Sequence, residues 1–175
     1  MNADTITLDM NLYGAFWSKL QQLKFDIFYY DEHFKYCVSV SRCVKAGIII
    51  ITSLATGAWM NWQDISVICI ICPIIIWISQ VASAVVEQLP FEKRKIELRE
   101  LSYELESLYI DMEMDWRSIQ AMRIENENIR EMLQKYTVKQ TGICKHYFKD
   151  DALPQIEKIR RRADEKTFDY FENLI

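Results

Sequence analysis

Glycine and proline are scarce, four and three in 175 residues. That argues against a fold of many turns and for long helices. Catalytic signatures are missing as well. There is no Gly-rich phosphate loop, no His-Glu-x-x-His helix and no Gly-x-Ser-x-Gly elbow, so no enzyme is expected. Cys69-Ile-Ile-Cys72 has a redox spacing, but within an apolar helix it reads as an accident of composition. Cys144-Lys145-His146 supplies too few ligands for zinc, and His33 is remote in sequence, so neither metal nor cofactor is expected. Five cysteines, scattered or inside apolar sequence, make no disulfide framework and are expected to be reduced.

Excess positive charge is also lacking. Twenty-one basic residues against 25 acidic give a net charge of −4, with no global pull toward nucleic acid and no direct nucleic-acid binding expected. The run Arg160-Arg161-Arg162 is surrounded by Glu157, Asp164 and Glu165, which suits a solvated or lipid-facing patch.

What the chain does have is hidden by a mean hydropathy of −0.09. Its apolar residues are concentrated in positions 46–86. Ile65–Val86 contains no charged side chain and as a helix would be about 33 Å long, enough to cross a hydrocarbon core of roughly 30 Å. Ala46–Met60 is likewise uncharged, and Asn61-Trp62-Gln63-Asp64 joins the two. The pattern predicts a transmembrane helical hairpin over 46–86.

Lys35, Arg42 and Lys45 flank it on one side, and Lys93, Arg94, Lys95 and Arg99 on the other, while the connecting loop has no basic residue. By the positive-inside rule both termini are expected in the cytoplasm. Tyr36, Trp59 and Trp62 stand where interfacial aromatics belong, and Lys45 can snorkel. The first 45 residues have no early apolar segment of signal-peptide form, so the spans are expected to be internal and permanent.

Inside the hairpin, Ser53-x-x-x-Gly57 is a small-residue spacing that lets another helix approach. On the second span Ser66, Cys69, Pro73, Gln80, Ser83 and Glu87 fall on one face. Gln80 is the costly member, because an amide in hydrocarbon must find a partner. Two readings stand: the stripe packs on the first span, with Pro73 kinking the helix, or it lines a polar path in an oligomer.

Outside the hairpin the pattern becomes heptad. Residues 1–45 form an expected cytosolic amphipathic segment, frayed over 1–11, with a seam of Tyr13, Phe16, Leu20, Leu23, Ile27, Tyr30, Phe34 and Cys37. An intramolecular bundle suits it better than a surface anchor, since Asp26, Asp31 and Glu32 give a mixed-charge polar face.

Residues 87–136 predict one long coiled-coil helix, starting near Glu92 after Leu89-Pro90-Phe91. Its assembly seam is Leu98, Leu101, Leu105, Leu108, Met112, Ile119, Met122, Asn126, Ile129 and Leu133, running on to Tyr136. Asn126 and Asp115 interrupt it. Either they set register and mark a skip or notch beside Trp116, or they lie at a solvated edge. Residues 137–175 predict a loop and a C-terminal return helix, capped by Asp150 or Asp151 with Pro154 in its first turn. The return helix would present Ile156, Ile159, Ala163, Tyr170 and Leu174, with Phe168 and Phe171 alongside. The expected fold is all-α: an integral-membrane two-helix hairpin with long cytosolic heptad helices forming a bundle or coiled coil.

This order of parts, together with Ile78-Ser79-Gln80-Val81 and then Leu89-Pro90-Phe91-Glu92-Lys93-Arg94, resembles the SLATT family of bacterial effectors. The small two-transmembrane effectors encoded beside retrons are similar too. The resemblance covers about residues 20–175 and is one of architecture. It implies an antiphage toxin of the bacterial inner membrane, a homo-oligomer in contact with lipid that permeabilises the membrane and causes abortive infection. It also implies a sensor partner, either a nucleotide-second-messenger synthase or a retron reverse transcriptase with its RNA and DNA. A non-conducting membrane scaffold whose coiled coil docks a soluble partner is the alternative.

Overall fold

Asp9 starts the first helix. Its carboxylate accepts the Asn11 N–H at 3.0 Å and its carbonyl accepts the Tyr13 N–H at 2.9 Å, as an N-cap residue does. The helix therefore begins at Met10, inside the segment expected to fray. The structure is a computed structural model that describes residues 9–61, 66–88, 90–121, 124–148 and 153–173. Among these all regular structure is helical: α1 Met10–Asn61, α2 Ser66–Gln88, α3 Pro90–Gln120, α4 Asn126–Tyr147 and α5 Glu157–Glu172. Two compact units form, Met1–His33 with Glu97–Ile175, and Phe34–Ile96.

The first unit is a bundle in which the two heptad seams fall into a single core. Phe16, Leu20, Leu23 and Ile27 of α1 belong to one buried cluster with Leu101, Leu105, Leu108, Met112 and Ile119 of α3 and with Ile129 and Tyr136 of α4. Leu98 is also fully buried, and Leu133 is half-buried against the cluster. Met122 lies outside the described residues. Seven of the ten seam residues are thus buried within one chain, and Asn126 and Leu133 are half-buried.

At Asp115 the seam shifts. Trp116 enters the core, 6 % exposed and stacked on Phe16 at 5.8 Å, while Asp115 stands beside it and accepts a hydrogen bond from the Tyr136 hydroxyl at 2.6 Å. The long helix expected from about Glu92 to Tyr136 is divided between Gln120 and Asn126, and its second part continues to Tyr147, through residues expected as loop. The reversal puts α4 beside α3, where Tyr147 donates to Glu104 at 2.9 Å and Lys139 pairs with Asp111 at 3.8 Å. Glu127 in the first turn of α4 and Lys145 and His146 in its last suit the helix dipole. Asn126, the expected register residue, opens α4, and its side-chain oxygen accepts the Asp9 N–H at 3.2 Å.

The return helix starts later than expected. Pro154 lies in the non-helical stretch 153–156, Ile156 occupies the N-cap position without a side-chain bond, and Asp150 and Asp151 lie outside the described residues. Ile159, Ala163 and Phe171 are its buried face, and Leu174 lies outside the described residues. The basic run is partly drawn onto α1: Arg162 pairs with Glu32 at 3.7 Å, and Lys166 pairs with both Glu32 and Asp31. Arg161 is held instead by Glu165 at 3.1 Å.

One buried and one half-buried polar side chain join these helices. Lys24 is 8 % exposed, with its ammonium 4.2 Å from the Tyr170 ring, 4.4 Å from Tyr109 and 5.3 Å from Phe28, so one cation meets aromatic faces from α1, α3 and α5. Asp26 accepts a hydrogen bond from Gln140 Nε2 of α4 at 2.6 Å. Burial raises its carboxyl from 3.8 to about 6, against the opposing pull of Lys19 and Gln140.

Because the folded-state value is the higher one, folding favours the protonated acid. That stabilisation is complete below pH 3.8 and is lost as pH rises through about 6. Asp26→Asn, which keeps an acceptor for Gln140, is expected to stabilise the bundle at pH 7 by on the order of 1–2 kcal/mol. It should also flatten the stability slope between pH 4 and 6. Thermal melts across that range check this; a lower melting temperature at pH 7 would refute it.

Candidate functional site

The second unit contains the apolar part of α1, all of α2 and the first residues of α3. By length and composition α1 and α2 can each cross a membrane. Only 11 % of the most apolar window of each is buried, the reverse of what a soluble core helix presents. On α2, Ile70 is 65 % exposed and Trp77 66 %, and Val67, Ile71, Ile74, Ile78, Val81 and Val85 are exposed with them. A predominantly apolar surface of this kind suits lipid and is poorly tolerated in water.

What the unit buries among its described residues is small: Cys37, Ser41 and Ala55 on α1, and Cys72 and Ser79 on α2. Small side chains let apolar helices approach without a bulky core, as membrane helices require. Away from the connection at 62–65, Lys95 donates to the Ser41 hydroxyl at 3.5 Å and ties α1 to the start of α3. Burial pushes the nearby Cys37 thiol upward, while Arg94 and Lys95 oppose it. All five cysteines are free.

Two threonine hydroxyls in the apolar part of α1 are satisfied by their own helix. Thr52 donates to the Ile48 carbonyl and Thr56 to the Thr52 carbonyl, both at 2.8 Å, and the Asn61 amide donates to Gly57 at 2.9 Å. Such internal bonds let polar residues sit in hydrocarbon at little cost. A Cβ added to Gly57 would meet nothing within 4 Å, so the Ser53–Gly57 spacing is not used for close packing inside the chain.

The α2 stripe is distributed unevenly. Cys69 and Pro73 are half-buried, Gln80 and Ser83 are exposed, and the side chains of Ser66 and Glu87 lie outside the described residues. The helix runs through Pro73 without a break. The buried face instead passes through Cys72 and Ser79, about a quarter turn from the stripe. Neither residue belongs to the polar stripe, because neither stands out as a face in an almost wholly apolar sequence. Gln80 is exposed on α2 and has no hydrogen-bond partner among the described residues. No family model matches this chain, nor does any curated protein or solved structure.

Proposed function

We propose that this chain is a membrane-permeabilising effector whose α1–α2 hairpin spans the bacterial inner membrane with both termini in the cytoplasm. The observation that carries the membrane part is the bare apolar surface of α2, with Ile70 and Trp77 about two-thirds exposed. Gln80 supports the assembly part. An amide facing hydrocarbon alone is unfavourable, and a second copy of the same hairpin is the nearest source of a partner.

Two spans per chain cannot enclose a path for ions, so permeabilisation needs several copies, with Gln80 and Ser83 facing one another. Self-association would then run through the hairpin, since most of the heptad seam is buried within the chain. The layout of the SLATT family supports an antiphage, abortive-infection role under a sensor partner. Because α1 and α3 each belong to both units, chain continuity gives such a partner a route from the bundle to the hairpin.

Expression of the chain in a bacterial host, followed with a voltage-sensitive dye, is expected to give depolarisation and growth arrest. Gln80→Leu should abolish both while leaving the membrane-bound amount unchanged. Toxicity that survives the substitution removes Gln80 from the conducting path. An unchanged potential with the native sequence rejects autonomous permeabilisation and favours the non-conducting scaffold.

A further inference from the structure

We propose that the groove between α1 and α5 is the docking site for a basic amphipathic helix of a partner protein. The groove has a volume of about 660 Å³ and lies wholly within the helical bundle, so the inference stands whether or not the hairpin conducts. Phe25 of α1 and Phe168 and Phe171 of α5 supply its apolar surface, with Gln22 on one side and Asp164 and Glu172 along α5. Asp164, Phe168 and Phe171–Glu172 recur at steps of four and three to four, so they share one helix face.

The two α5 aromatics differ. Phe171 is anchored in the bundle, 6 % exposed and edge-on to Trp17 at 5.1 Å, whereas Phe168 is 68 % exposed. No internal packing explains Phe168. A large aromatic left in water beside two others is the type of group that a partner covers.

Charge identifies the occupant. Among the described residues neither Asp164 nor Glu172 has an ion-pair partner, although Glu165, adjacent to Asp164, is held by Arg161. The complementary surface is therefore apolar in the middle and cationic at both ends. From Asp164 to Glu172 is about 12 Å along α5, roughly two turns of a docked helix. That length accommodates apolar anchors at i and i+3 or i+4, with the flexible side chains of Lys or Arg flanking them reaching to the two carboxylates, the helix-in-groove mode of recognition. A small organic cation would satisfy the carboxylates but would leave Phe168 largely uncovered, and small-molecule sites bury most of their ligand.

The test is selection from a display library of random 16-residue peptides against the full chain in phosphatidylcholine nanodiscs, with empty discs as counter-selection. Enriched peptides should place Lys or Arg around apolar residues spaced i, i+3 or i+4. Their affinity should fall at least about thirtyfold with Phe168→Ala. It should fall severalfold with Asp164→Asn combined with Glu172→Gln, and that second effect should shrink at high salt. Phe168 is exposed, so unchanged thermal melting of its variant is expected to separate lost binding from lost folding. Enrichment of acidic peptides, peptides indifferent to Phe168→Ala, or no enrichment at all would each overturn the proposal. Saturable spermine binding that Phe168→Ala abolishes, without peptide binding, would reassign the groove to small cations.

Discussion

Replacing Ile74 and Ile78 together by aspartate is expected to remove this chain from the membrane fraction. Both lie near the middle of α2, 51 % and 54 % exposed, on the side away from buried Cys72 and Ser79. A carboxylate at the centre of a membrane helix costs about 2.5–3.5 kcal/mol on the insertion scale, so the pair costs roughly 5–7 kcal/mol. A buried soluble helix would lose packing by the same change, but these two side chains have little packing to lose. Alkaline carbonate extraction of cells is the measurement. Native protein should stay in the pellet, and the double variant should pass to the supernatant or be degraded. Val138→Asp, on the exposed face of α4, should behave as native, because that side chain is 65 % exposed in the bundle. Retention of the double variant in the pellet at native yield would eliminate α2 as a span.

The two apolar helices and the apolar spacing of α1 and α3 could be read from the sequence because each rests on period and composition. Phe16, Leu20, Leu23 and Ile27 repeat at steps of three and four, as do Leu98, Leu101, Leu105, Leu108 and Met112, and all are buried. The reversal after Gln120 could not be read. No glycine or proline marks it, and the apolar spacing Ile119–Asn126–Ile129–Tyr136 continues across it as though one helix persisted. Spacing specifies a face and not a direction, so a helix that doubles back onto the same core keeps the same pattern. Asn126 was open to two readings for the same reason. It occupies a seam position by count, yet at the start of α4 it serves the Asp9 backbone.

Buried polar groups were harder still. In sequence Lys24 and Asp26 look like the solvated face of α1. Only the arrival of Tyr109 and Tyr170 on one side and Gln140 on the other encloses them. Enclosure depends on contacts between residues about 85 to 146 positions apart, which no local period records. The α2 stripe has the opposite difficulty. Its polar members could be read, but a hairpin offers several faces, and the buried one contains Cys72 and Ser79.

Phe16→Ala is expected to destabilise the bundle by about 3–5 kcal/mol, lowering its melting temperature by roughly 10–20 °C. Phe16 is fully buried, stacks on Trp116 at 5.8 Å and meets the Tyr136 ring edge-on at 6.3 Å, so its removal opens a cavity where α1, α3 and α4 meet. Circular dichroism of the detergent-solubilised chain reads the loss. Phe16→Leu keeps most of the volume and should cost less than half as much. That milder variant also locates the contacts that join copies. Because most of the seam is buried within one chain, light scattering should find the same particle mass for Phe16→Leu as for the native protein, despite the weaker bundle. Gln80→Leu should do the reverse, lowering the particle mass while leaving the bundle's melting temperature in place. A particle that dissociates with Phe16→Leu and persists with Gln80→Leu would move the contact between copies from the hairpin to the heptads.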